Sequence, residues 1–208
     1  MDKTLLLIFS PDAAWESIRR SRRTVFFILL VYFLPLLLLT SAGEAYGLNQ
    51  WGEWQSRVAR LRRFSLGETV VFEVCQFLLS LLIVFIGAGL LQSVSAAFQA
   101  RHTYLEAFTV VAYCLGPMFI FRLFNALAFM PPWVTWCIGI TFSMGVLYHG
   151  LPRIMRPEPA HVFGLFLISG LVLLIITGLA QFVVTWFLQG RSTGLDSAVS
   201  QLAARLPL

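Results

Sequence analysis

AYCLGPMFIFRLFNALAF, residues 112–129, is apolar almost throughout, yet it carries Arg122 and Asn125. An arginine near the centre of a lone membrane-spanning helix costs about 2.5–3.5 kcal/mol on insertion scales, and less toward the ends. The rest of the chain decides whether a membrane is the right solvent. Apolar residues make up 58% of the 208 and charged residues 12%, against about 45–50% and about 25% in soluble domains. The mean hydropathy is +0.80. No polar shell is left to cover a soluble core, so the chain reads as an integral membrane protein.

Five apolar runs stand out, near 24–41, 69–98, 107–129, 132–151 and 161–189. A hydrocarbon core of about 30 Å needs about 20 helical residues. The first run is short for that, and the second and fifth are long enough to tilt, kink or protrude. Gly87 and Gly89 are the expected soft point of the second. Backbone groups in lipid must be satisfied internally, and the runs lack the alternation of a β-barrel, so α-helices follow. The predicted fold is all-α: five transmembrane helices over 24–189, preceded by a cytoplasmic helix in 1–23 and followed by a tail over 190–208.

Residues 1–23 read MDKTLLLIFSPDAAWESIRRSRR. Ser10 suits an N-cap, Pro11 a first helical position, and Asp12 and Glu16 the positive end of the dipole. Trp15 and Ile18 share a face, and Arg19, Arg20, Arg22 and Arg23 close the segment. That pattern predicts a short amphipathic interfacial helix, with Trp15 and the arginines at the membrane surface. A cleaved signal peptide is not expected: the apolar run exceeds the usual span of about 7–15 residues and contains Pro35. In the loop over 51–66, Trp51, Trp54, Val58 and Leu61 follow a helical period, although Arg62 interrupts the apolar side. They predict a second amphipathic surface helix, with Trp51 and Trp54 at headgroup depth.

The 14 Arg and one Lys give a net charge of +5. Most flank the apolar runs, which points to orientation and lipid headgroups; no nucleic-acid motif accompanies them. The Arg bias hints at a GC-rich bacterial source. With five spans and the N-terminus inside, eight basic residues fall inside and six outside. A re-entrant first run, turning at Pro35, would give eleven inside and three outside. Charge thus favours four spans, and the continuity of the first run favours five.

Three stretches bear on that choice: PDAAWESI at 11–18, YLEAFTVVAYCLGP at 104–117 and LYHGL at 147–151. Together with the five-run layout they resemble the Yip-domain family of multi-pass membrane proteins, bacterial type. Tyr113 and Pro117 match its Tyr-x-x-x-Pro pattern in the third span. The resemblance implies five spans, a cytoplasmic N-terminus and a C-terminus on the far side, in a bacterial inner membrane here. Eukaryotic relatives bind Rab-type GTPases in vesicle traffic, but they carry a longer N-terminal region and an Asp-Leu-x-Gly-Pro motif that this sequence lacks. GTPase binding is therefore not carried over.

In that topology Glu73 of the second run and Arg122 of the third lie at similar depth. Gln76 and Asn125 each follow three residues on, on the same helical faces. These four are expected to form an intramembrane polar cluster. It reads either as packing glue or as a site for an ion, ligand or headgroup, and a snorkelling Arg122 is the third possibility. Pro117 predicts a helix kink. Small residues such as Gly139 with Ser143, and Gly170 with Gly178, suit helix contact or a homo-oligomer.

His102, His149 and His161 sit at run ends, where headgroup contact or capping is expected before a metal. Cys75, Cys114 and Cys137 match no metal or redox spacing. No catalytic or phosphate-binding motif occurs, so neither enzyme activity, a cofactor nor a metal is expected. The lipid bilayer is the expected partner, with membrane-protein partners or a second copy beside it. The expected function is a non-enzymatic scaffold that binds partners or lipids in membrane organisation or trafficking. The alternative is a channel, transporter or lipid scramblase built on the polar cluster.

Overall fold

The structure, a computed structural model, describes residues 6–7, 10–21, 23–50, 53–55, 60–62, 65–98, 103–127, 130–188 and 201. Helix α1 covers Pro11–Ser21, with Pro11 opening it, Asp12 in its first turn and Arg19 and Arg20 in its last. These are the residues that complement the ends of a helix dipole.

Helix α2, Val25–Gln50, is the first of five helices long and apolar enough to cross a membrane. Thr24 caps it, its hydroxyl accepting from Phe27 N at 3.4 Å. Residues Ile28–Phe33 take a wider π turn, and Leu34 N–H donates five residues back to Leu29 O. Pro35 follows at once; its ring would collide with the carbonyl four residues back in a regular helix, and the wider turn absorbs it. The helix therefore runs on through Pro35, as five spans require, and does not turn back there. The end expected near 41 is corrected to Gln50. Beyond Leu39 the helix continues as TSAGEAYGLNQ, whose Thr40, Ser41, Glu44, Gly47 and Leu48 face the protein interior. A hydropathy reading stops where the buried polar face begins.

Strands β1 (Glu53–Gln55) and β2 (Arg60–Arg62) pair antiparallel, with Trp54 opposite Leu61. At 53–55 and 60–62 a short ladder stands where the sequence pattern predicts a surface helix over 51–66; residues 51–52, 56–59 and 63–64 lie outside the described residues. An antiparallel register brings together the two apolar positions that a helix would have placed seven residues apart on one face.

Helix α3 spans Leu66–Ala97 without interruption at Gly87 or Gly89. Helix α4 spans Tyr104–Cys114, and α5, Gly116–Arg122, continues it into a 3₁₀ turn at Leu123–Ala126. Both α3 and α4 start three residues earlier than the apolar runs. Ser65 with Glu68 and Thr103 with Glu106 form capping boxes that extend each helix into polar sequence. Between α4 and α5 the regular helix breaks at Leu115, and Pro117 stands in the first turn of α5. Helices α6 (Pro132–Ile154) and α7 (Val162–Leu188) complete the bundle.

The α4–α5 segment is the centre of that bundle. In its apolar stretch 72% of residues are buried, against 28% in the first and last spans. Ala107 through Cys114 are buried in unbroken succession; a helix apolar on every side belongs inside other helices. Around it, Phe26, Leu38, Leu78, Leu82, Phe163, Leu171 and Phe182 are exposed. Such a surface suits hydrocarbon and would be costly in water.

Candidate functional site

Arg122, at the end of α5, is 8% exposed. Its Nε donates to Glu44 Oε2 at 2.5 Å, and its Nη2 donates to Glu73 Oε2 at 3.0 Å. Glu44, on α2, is 1% exposed. Its second oxygen, Oε1, accepts from Asn125 Nδ2 at 3.1 Å. Asn125 Oδ1 in turn accepts from Thr135 Oγ1 at 2.5 Å, and Thr135 stands in the first turn of α6. With its amide oriented so that the oxygen faces the guanidinium, Gln76 accepts from Arg122 Nε at 3.0 Å and Nη2 at 3.2 Å. One arginine thus ties together α2, α3 and α5, and Asn125 extends the network to α6.

The sequence places these groups at one depth. Glu44 lies six residues before the end of α2 and Glu73 seven after the start of α3. That is about 9–10 Å along each axis at about 1.5 Å per residue. Close backbone approach makes the reach short. A Cβ on Gly47 would lie 2.4 Å from Ala126 Cα, and one on Gly139 2.8 Å from Met118 Cα. Gly170 and Gly178 likewise face Met144 and Trp136, so these small residues serve contacts inside the chain. Among the described residues, Arg122 Nη1, Glu73 Oε1 and Ser41 Oγ are buried without a hydrogen-bond partner.

Two carboxylates around one guanidinium compensate a cost that neither helix could carry alone. An isolated buried charge is expensive, and a paired, hydrogen-bonded one is tolerated. The arrangement brings together all four of Glu73, Gln76, Arg122 and Asn125. It adds two residues that the sequence reading missed, Glu44 and Thr135. A signal for Glu44 was present: Leu37, Ser41, Glu44 and Leu48 recur at four, three and four residues, the stripe of one buried helical face.

At the opposite end of the bundle, Trp15 of α1 faces the protein interior. It is fully buried, and its Nε1 donates to Val146 O of α6 at 3.1 Å. Gly150 makes the room: a Cβ there would meet the indole at 2.4 Å. Tyr113 packs edge-on against the same ring. The buried indole N–H thus has a partner inside the protein. Asp12 fixes the other side of α1, meeting His149 Nδ1 at 2.9 Å and Arg153 Nη2 at 2.8 Å.

Arg19 and Arg20 both reach Glu16, at 2.7 and 3.3 Å. The hydrogen bond from Arg19 holds the Glu16 carboxyl below the usual carboxylate range. Arg23 lies over the Phe27 ring, 4.4 Å from its centroid. Arg22, Trp51 and His102, and the side chain of Trp54, lie outside the described residues. His161 faces Glu158 and Phe98, apart from the partners of His149.

Five apolar helices closed on a buried Arg–Glu–Glu network define an all-α, multi-pass integral membrane protein. Residues 5–195 match the Yip1 domain family, and the chain belongs to that family. Neither a curated protein nor a solved structure matches it.

Proposed function

We propose that this Yip-family protein is a non-enzymatic scaffold that binds lipids or membrane-protein partners, a second copy of itself included, in membrane organisation or trafficking. The supporting observation is that the charge of Arg122 is engaged inside the protein by Glu44 and Glu73. A guanidinium so engaged acts as a clamp between helices. The proposed home is the bacterial cytoplasmic membrane with the N-terminus inside, supported by the Arg-rich composition and by basic residues gathered before α2. In that placement α1 lies at the cytoplasmic interface.

The unpartnered Arg122 Nη1 and Glu73 Oε1 favour a second reading, in which water or a transported species completes the site in a channel, transporter or scramblase. Liposome assays of ion flux and lipid flipping separate the two, with wild type beside Arg122→Ala and Glu73→Gln. The scaffold reading expects no flux in any of the three. Wild-type flux abolished by either substitution would overturn it.

A further inference from the structure

The end of the bundle that carries α1 holds a cavity of about 430 Å³. It opens between α1, the start of α2, the first turns of α4 and the segment after α6. Arg19, Arg23 and Arg156 all line it. Arg19 is engaged by Glu16, whereas Arg23 and Arg156 have no carboxylate partner among the described residues. Arg156 takes a left-handed backbone, with φ of 39°, a conformation that costs a side chain bearing a Cβ.

The N-terminus of α4, an 11-residue helix, faces the same space through Thr103 and Glu106. Glu106 contributes a negative charge, and its Oε2 accepts from both Thr103 N and Thr103 Oγ1, at 3.0 and 3.1 Å. That carboxylate is turned into the cap. The Thr109 hydroxyl, which donates to Leu105 O, keeps its lone pairs for a further donor. With Arg19 paired to Glu16, the guanidinium groups of Arg23 and Arg156 against the one capped carboxylate of Glu106 leave the cavity with surplus positive charge.

Its other wall is apolar, formed by Ile18, Ile28 and Ile154. On the same side of α2, four and eight residues on from Arg23, Phe27 and Val31 are exposed, and Arg23 lies over the Phe27 ring. A cationic recess at the edge of an exposed apolar face has the shape of an anionic amphiphile: charged head in the recess, chain along the helix. Guanidinium forks match phosphate oxygens in geometry as well as charge.

We propose that this cavity binds a phosphate ester, carried on an anionic phospholipid headgroup, with Arg23 and Arg156 as its principal ligands. This rests on the lipid-binding half of the function proposed above and names its ligand class. The acyl chains of the same lipid lie along Phe27 and Val31.

The test uses the full chain in phosphatidylcholine nanodiscs, titrated with phosphatidylglycerol and read by native mass spectrometry of retained lipid. Phosphatidylglycerol is expected to be retained over phosphatidylcholine. Its affinity should fall at least about tenfold in Arg23→Ala/Arg156→Ala, since each arginine supplies charge-assisted hydrogen bonds. The Arg23→Lys/Arg156→Lys protein keeps the charge and guards against misfolding; it should fall in between. Glycerol 3-phosphate is the soluble arm: binding as tight as the lipid, with the same arginine dependence, would uphold the phosphate site and assign it to a free ester. Equal retention of phosphatidylglycerol in wild type and both double variants, or no preference over phosphatidylcholine, would overturn the proposal. Failure of the scaffold reading is scored separately, by flux at the Arg122 end.

Discussion

Arg122 and Arg156 are the same residue in two solvents. Arg122 is buried among helices and bonded to two carboxylates. Arg156 is exposed beside a cavity at the other end and has no carboxylate partner among the described residues. Inside the bundle a guanidinium is a structural liability until neighbours neutralise it; at the rim it is free to meet something from outside. The two ends of the bundle therefore divide the labour, one holding the helices and the other offering charge.

The largest break in that comparison is Arg122→Ala. It leaves Glu44 and Glu73 facing each other without a cation, and removing one partner of a buried pair costs about 3–5 kcal/mol. Unfolding in detergent measures it, and Arg156→Ala in the same assay should stay within about 0.5 kcal/mol. Glu73→Gln comes next. It keeps the shape but weakens a hydrogen bond to a charged group, for a loss of about 1.5–3 kcal/mol; unchanged stability would mean that the pair does not hold α3 to α5.

Gly150→Leu sharpens the account of the opposite end. The new side chain competes with Trp15 for one space, and overpacking of this kind costs about 1–3 kcal/mol. Iodide should then quench Trp15 fluorescence, measured as the difference from the same protein with Trp15→Phe. Asp12→Asn weakens contacts whose carboxylate is 64% exposed, and should cost at most about 1 kcal/mol in thermal unfolding.

The smallest effect is on pH. The Glu16 carboxyl is lowered by Arg19, so its contribution is present above the unfolded value and is lost as pH falls through the lower folded value. An NMR titration should show Glu16 protonating below the usual carboxylate range, and Arg19→Ala should bring it back up.

Much of this fold was legible because a membrane imposes one demand, about 20 apolar helical residues per crossing. The helix starts were less legible: Ser65 with Glu68, and Thr103 with Glu106, recruit polar residues that hydropathy excludes. Glu44 was hidden for the same reason, since it stands where α2 turns polar on its buried side. Arg122, Glu73, Gln76 and Asn125 could be grouped from depth and helical spacing alone. Trp15 could not be placed that way, because its burial depends on a gap at Gly150, 135 residues away in sequence. The residues around the cationic cavity come from four separate segments, and no local pattern links them.

The central claim is that Arg122 and Glu44 act together to hold the helices. A double-mutant cycle with Glu44→Gln, Arg122→Gln and the pair, measured by reversible unfolding in one detergent, tests it most directly. The account predicts a coupling of about 1–3 kcal/mol, with the double variant less damaged than the sum of the singles. Strict additivity, or single variants as stable as wild type, would contradict it.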